Sequence, residues 1–231
     1  MSEQDWARQQ LVLQAWFSPA FPIGGFAFSH GLEWAYESGA ITTRAELEGW
    51  IGDLLHDGSG RTDAILLGAA HRAATAGDHA GLQDIIDLGA ALQPSAERHL
   101  EATVQGGAFL AMVMAAYPCA GLTELSAQID TARLTLPVAV GLAGAAHRIG
   151  LPALLTACLG GFVANLASAA VRLGIVGQTD GQRIISSLNP VIADVAAMSL
   201  PLTLEHLGSA TLRADLVSLQ HETQYSRLFR S

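Results

Sequence analysis

Lysine is absent from the 231-residue chain, in which all 12 basic residues are arginine. P-loop nucleotidases, Schiff-base enzymes and pyridoxal-phosphate enzymes each need a lysine amine, so the sequence excludes these classes. Cysteine occurs only as Cys119 and Cys158, without CxxC spacing, which excludes a disulfide framework and a cysteine-rich zinc site. The first residues contain no basic stretch leading into an apolar run, so no signal peptide is predicted and we expect a cytoplasmic protein.

Positive charge is also scarce, since the 12 arginines stand against 21 acidic residues and give a formal net charge of −9. The arginines do not form a basic run. Nucleic-acid binding depends on neutralising phosphates with clustered basic side chains. The charge balance therefore predicts that nucleic acid is not a partner of this protein.

Residues that favour strands are few, whereas alanine and leucine are abundant, and this composition favours helices. The clearest helical signal is a capping box at Thr43–Glu46, followed by apolar residues at helical spacing. Near the end of the chain, Leu212, Leu216 and Leu219 form an apolar stripe that we expect to dock a final helix on the core. The sequence predicts an all-α fold with one compact domain of about ten helices over residues 1–231.

One stretch, residues 149–171, is uncharged and long enough to cross a membrane. It also contains Pro152 and Asn165, which are costly to insert, and it is richer in alanine and glycine than in large apolar residues. A helix buried inside the protein core is the favoured interpretation, with no membrane as partner. A small membrane-embedded protein remains the alternative.

A catalytic constellation is not evident in the sequence. The eight histidines are dispersed, and the segment from His221 to Tyr225 has tyrosine where a zincin needs its second histidine. Nucleophile-elbow and dinucleotide-binding motifs are missing as well. We therefore expect a binding or assembly protein without catalytic residues and without a tightly bound metal or cofactor, the alternative being an all-α metal-dependent hydrolase.

Two segments do not fit a plain helical core. The glycine loop, residues 18–28, places several phenylalanines around Gly24 and Gly25, and such a loop cannot easily bury all of them. We expect the glycine pair to hold a backbone shape that larger residues would disturb, since glycine reaches positive φ freely. The C-terminal segment, residues 221–231, continues no apolar period, so we expect it to be mobile and to become ordered on a partner.

The first segment contains SPAFPIGGF at Ser18–Phe26 and is followed by SHGLEWA at Ser29–Ala35. This sequence resembles the N-terminal signature of the UreF family of urease accessory proteins. The sequence HETQYSRLFRS at His221–Ser231 resembles the family's C-terminal end, and AAVRLG at Ala169–Gly174 is similar to a weaker internal block.

The resemblance implies a role in inserting nickel into urease. In the family, UreF binds UreD (also called UreH), recruits the GTPase UreG and presents nickel to apo-urease in a GTP-dependent step. Nickel and GTP would then act through the partner complex, and UreF would be an adaptor without enzymatic activity of its own, with a possible role as modulator of the partner GTPase. A homodimer is expected from the resemblance and from the frequency of two-fold assemblies.

Residue types and resemblance together identify candidate partner-binding residues in both segments. They are Phe21, Gly24, Gly25, Phe26, Ser29, His30 and Glu33 in the first segment and His221, Glu222, Tyr225, Arg227, Leu228, Phe229 and Arg230 in the second. Arg227 and Arg230 could act in trans on the GTPase, but pairing with partner carboxylates is the favoured interpretation.

Overall fold

The computed structural model describes residues 3–231, and every regular element within that range is helical. The α-helices are α1 (Glu3–Trp16), α2 (Leu32–Glu37), α3 (Arg44–Asp57), α4 (Ser59–Ala76), α5 (His79–Ala91), α6 (Ala96–Ala116), α7 (Ala120–Ser126), α8 (Leu136–Ala146), α9 (Leu151–Leu173), α10 (Gln178–Ser187), α11 (Asn189–Ser199) and α12 (Leu212–His221). Short 3₁₀ helices cover Gly25–Ala27 and Leu204–His206. The predicted all-α fold is confirmed.

Helix α8 lies at the centre of the molecule, between α4 and α6, with α5, α7 and α9 also against it. Most of its residues are buried, and many of them are alanine or glycine. Small side chains allow neighbouring helices to approach closely, so α8 can be surrounded on all sides. The hydrophobic cluster around this centre also includes Leu13 and Trp16 of α1 and Phe229 near the end of the chain.

Helix α9 contains most of the uncharged stretch of the sequence and carries Arg172 in its last turn, and it packs against α4, α8, α10 and α11. It is the one helix among the described residues that could span a membrane by length and composition, and 44 % of its apolar window is buried inside the protein. Pro152 lies in its first turn, and Gly174 caps it in the left-handed conformation. The packing agrees with a core helix, the interpretation favoured by the sequence.

The capping box predicted at Thr43 is present. The Thr43 hydroxyl accepts a hydrogen bond from the Glu46 backbone amide at 3.3 Å, and the Glu46 carboxylate accepts one from the Thr43 amide at 3.0 Å. The buried side chains of α3 are those of the apolar stripe that follows this box: Leu47, Trp50, Ile51, Leu54 and Leu55. Here the local sequence determines both where the helix begins and which face it buries.

The apolar stripe of α12 is oriented opposite to the prediction. Leu212, Leu216 and Leu219 are 67 %, 50 % and 45 % exposed. The buried face consists of Ala214, Val217, Ser218 and His221. Small side chains bring the α12 backbone close to α2 and α6, and large leucines on that face would hold the helices apart.

The C-terminal segment is packed on the domain, in contrast to the expected mobile tail. Phe229 is 3 % exposed and Ser231 is 1 % exposed. The Ser29 amide donates to the Ser231 carbonyl at 2.8 Å, and the Arg230 amide donates to the Ala27 carbonyl at 2.8 Å. These partners are about 200 residues away in sequence, so no local apolar period could reveal them.

Candidate functional site

Glu33 is the acceptor that holds the C-terminal segment in place. It lies in the first turn of α2 and is 7 % exposed. Its two carboxylate oxygens accept hydrogen bonds from the backbone amides of Leu228, at 2.6 Å, and Phe229, at 2.9 Å. Hydrogen bonds to an ionised acceptor are among the stronger ones in proteins, so this carboxylate fixes the path of the segment.

His221 connects α2, α6 and α12 at one buried point. Its Nδ1 lies 2.5 Å from the Glu97 carboxylate and its Nε2 lies 3.2 Å from that of Glu33. Each imidazole nitrogen therefore faces a carboxylate oxygen, and the ring joins the two acidic side chains. Arg227 pairs with the other oxygen of Glu97, so an exposed arginine of the segment is tied to the same network.

A second buried network lies one helical turn further along α6. Glu101 forms an ion pair with Arg98 and accepts a hydrogen bond from the Ser231 hydroxyl at 2.5 Å. Burial alone would raise the pKa of Glu101, but the Arg98 charge, His30 and the Ser231 hydroxyl together hold it far below its usual value. The carboxylate therefore remains ionised and continues to accept the hydrogen bond from the Ser231 hydroxyl.

His30 and Gly31 both adopt left-handed backbone conformations, with φ values of 60° and 77°. A Cβ at Gly31 would lie 3.2 Å from a Val217 methyl group and 3.3 Å from the Ser218 backbone, so glycine allows α12 to approach α2. The His30 ring is held by the Ser59 hydroxyl at 2.8 Å. Burial, helped by the Arg98 charge, lowers the pKa of His30 to about 4, and the ring is neutral at neutral pH.

The glycine loop turns at Gly24, whose φ is +76°, as expected from the sequence. Gly25 begins the 3₁₀ helix and does not share the positive φ. Phe21 is half-buried against Phe109, with ring centroids 5.4 Å apart, whereas the Phe26 ring is 73 % exposed. The loop therefore divides its rings between the core and the surface.

The structure brings the two sequence segments together and separates their residues into two groups. Facing outward are Phe26, Tyr225, Arg227, Leu228 and Arg230, and facing inward are Ser29, His30, Glu33, His221 and Phe229. Glu222 is half-buried and accepts a hydrogen bond from the Ala96 amide at 2.7 Å. The inward group holds the backbone in place, and the outward group forms the composite surface of loop and segment.

Sequence reasoning missed several residues that build this surface: Gly31, Glu97, Arg98, Glu101 and Arg172. One signal was available, because the three charged residues at the start of α6 precede a stretch, residues 102–116, that carries no charge. Charges confined to one turn of an apolar helix indicate a polar contact at that end. The identity of the contacting segment could not be read from the helix itself.

Among the described residues, no group of three or more histidine, cysteine, aspartate or glutamate side chains is arranged to hold a metal ion. A cavity of about 80 Å³ is lined by His30, Ser59, Asp63, Arg98 and Asp215, among others. Its volume is sufficient for a few water molecules.

Comparison with known proteins gives a consistent result. The UreF family model matches residues 41–189. A urease accessory protein UreF of Rhodopseudomonas palustris (strain BisA53) is 50 % identical over 95 % of this chain and 92 % of its own length. Another from Bradyrhizobium sp. (strain ORS 278) is 51 % identical over 95 % and 90 % of the two chains, and one from Xanthobacter autotrophicus (strain ATCC BAA-1158 / Py2) is 49 % identical over 100 % and 94 %. The chain belongs to the UreF family of urease accessory proteins.

Proposed function

We propose that this protein is the adaptor of nickel delivery to urease, and that it binds UreD (UreH) and recruits the GTPase UreG to apo-urease. Nickel is the cargo of the complex, and GTP is bound and hydrolysed by the partner. Family membership supports the urease role. The absence of lysine from the sequence agrees with a protein that leaves nucleotide chemistry to another subunit.

The composite surface is the observation that carries the adaptor role. Tyr225 is fully exposed, Leu228 is 64 % exposed and Phe26 is 73 % exposed, all within two adjoining segments. Exposed aromatic rings next to arginines are the residue types that dominate protein–protein binding energy. Since buried carboxylates hold the backbone beneath them, less ordering entropy is lost on binding than a free tail would lose.

Coupling between the partners follows from the position of the adaptor. A scaffold relays the nucleotide state of a GTPase if it binds the two states with different affinity. Arg227 is already paired with Glu97, whereas Arg230 is exposed and lies over the Phe28 ring at 5.6 Å. Arg230 is therefore the arginine that we assign to a partner carboxylate, and we assign no catalytic role to either residue.

The proposal also includes a homodimer located in the cytoplasm. Light scattering on the purified protein would test the oligomeric state.

The test is a binding measurement with the double variant Tyr225→Ala, Leu228→Ala. Both side chains face solvent, so the variant is expected to keep its helix content and melting temperature while its affinity for UreD falls about tenfold or more. Leu219→Ala is the matched control, because it removes an exposed leucine from the outer face of α12. Unchanged assembly and unchanged urease activation by the double variant would contradict the proposal.

A further inference from the structure

Arg172 contacts both halves of the composite surface. It lies in the last turn of α9, and its guanidinium carbon is 3.9 Å from the centroid of the Phe26 ring and 4.3 Å from that of Phe229. The same guanidinium donates a hydrogen bond from Nη1 to the Phe26 carbonyl at 2.5 Å. One planar cation is thus placed between the exposed ring of the glycine loop and the buried ring of the C-terminal segment.

We propose that Arg172 is the positioning residue of the partner-binding surface, because it sets the orientation of the Phe26 ring relative to the C-terminal segment. The proposal rests on the adaptor function proposed above. Backbone hydrogen bonds already join the two segments, but they fix only the main chain. The orientation of an exposed aromatic ring needs a side-chain contact, and Arg172 supplies one to Phe26.

The contact depends on the shape of arginine as well as its charge. A guanidinium is flat, so it can present a face to each of two rings while its edge donates to a carbonyl. Its Nε also lies 3.4 Å from the Ser168 carbonyl of the same helix, which restricts the side chain further. A lysine ammonium is compact and more strongly hydrated, and it cannot stack on two rings at once.

The proposal is tested with Arg172→Ala and Arg172→Lys in the full-length protein. We expect both variants to retain helix content, while amide hydrogen exchange in residues 24–28 and 225–231 becomes faster and affinity for UreD falls about tenfold. Arg183→Ala is the matched control, since Arg183 forms an exposed ion pair with Asp180 on α10 and is expected to change neither quantity.

A double-mutant cycle with Phe26→Ala separates positioning from a general structural role. If Arg172 acts through the Phe26 ring, the combined variant binds UreD no more weakly than Arg172→Ala alone. Additive losses would overturn the proposal, and so would wild-type exchange rates or wild-type affinity in Arg172→Ala. If Arg172→Ala does not fold, Arg172→Lys and its cycle with Phe26→Ala provide the same comparison.

Failure of this proposal can be distinguished from failure of the adaptor function. If the wild-type protein does not bind UreD, the adaptor function is contradicted. The exchange rates of residues 24–28 and 225–231 in the isolated protein still decide whether Arg172 holds the two segments. If the wild-type protein binds UreD and Arg172→Ala binds equally well, only the positioning role is overturned.

Discussion

At the scale of single residues, the Glu33 carboxylate accounts for much of how the C-terminal segment is placed on the domain. Glu33 accepts two backbone amides and faces the His221 ring, although it is separated from these groups by nearly the whole chain. Buried charges are costly unless they are paired and hydrogen-bonded. The position of Glu33 is therefore explained by the segment that it binds, and its side chain does not reach the outer surface.

Replacing Glu33 tests this account of the residue. Glu33→Gln removes the charge and one of the acceptor oxygens, so we expect a loss of about 1–3 kcal/mol in the free energy of unfolding. Urea denaturation measures this loss. Glu37→Gln is the control, because Glu37 is exposed on the same helix and is expected to stay within about 0.5 kcal/mol. Equal stability of the two variants would contradict the account.

Asp63 makes the stability depend on pH. Burial raises its pKa from 3.8 to about 7; Glu101 acts in the same direction and Arg98 opposes it. The folded protein therefore retains a proton that the unfolded chain releases, and the stability contributed by this group is present below pH 3.8 and is lost as pH rises through 7.

We expect Asp63→Asn to be more stable than the wild type at pH 8, by about 1–2 kcal/mol after allowance for solvent screening, and to differ little at pH 4. Thermal unfolding at both values measures the effect, with exposed Asp194→Asn as control. A stability difference between Asp63→Asn and the wild type that is the same at pH 4 and pH 8 would show that Asp63 does not titrate in this way.

At the scale of elements, α12 shows what an apolar period can and cannot determine. Its leucines repeat at helical spacing, and this spacing correctly predicts a helix near Leu212–His221. The period does not determine which face is buried, because the close approach of Val217 and the Ser218 backbone to Gly31 is a tertiary contact that the spacing of leucines does not contain. Steric fit to the neighbouring helix therefore decides the buried face.

Substitutions on the two faces of α12 test whether the leucine face or the face with Val217 packs on the domain. Leu216→Asp is expected to change the unfolding free energy by no more than about 0.5 kcal/mol, because Leu216 is half exposed. Val217→Asp buries an unpaired charge at a residue that is 5 % exposed, and a loss of about 3 kcal/mol or more is expected. Denaturation curves of the two variants measure both losses. A larger loss in Leu216→Asp than in Val217→Asp would show that the leucine face is the one that packs on the domain.

Helix boundaries were predictable where the signal is local. The capping box at Thr43 and the prolines that open α8, α9 and α11 are examples. The end of α11 at Ser199 also has a local signal, because Pro201 follows closely and has no amide hydrogen to continue a helix. The contacts of Glu97 and Glu101 with the C-terminal segment lie beyond local reasoning, because they join residues more than 120 positions apart.

At the scale of the whole molecule, distant parts of the sequence combine into one surface. Helices α2, α6, α9 and α12 supply the groups that hold the glycine loop against the C-terminal segment. We propose that this composite surface, rather than the outer face of α12 or the exposed side of α1, binds the first urease-maturation partner.

Hydrogen exchange of the isolated protein, compared with its complex with UreD, tests this claim most directly. We predict that amides in residues 24–28 and 225–231 gain protection together when the partner binds, while those on α1 and on the leucine face of α12 do not change. Protection gained on α1 or on α12, with the loop and the C-terminal segment unchanged, would contradict the account.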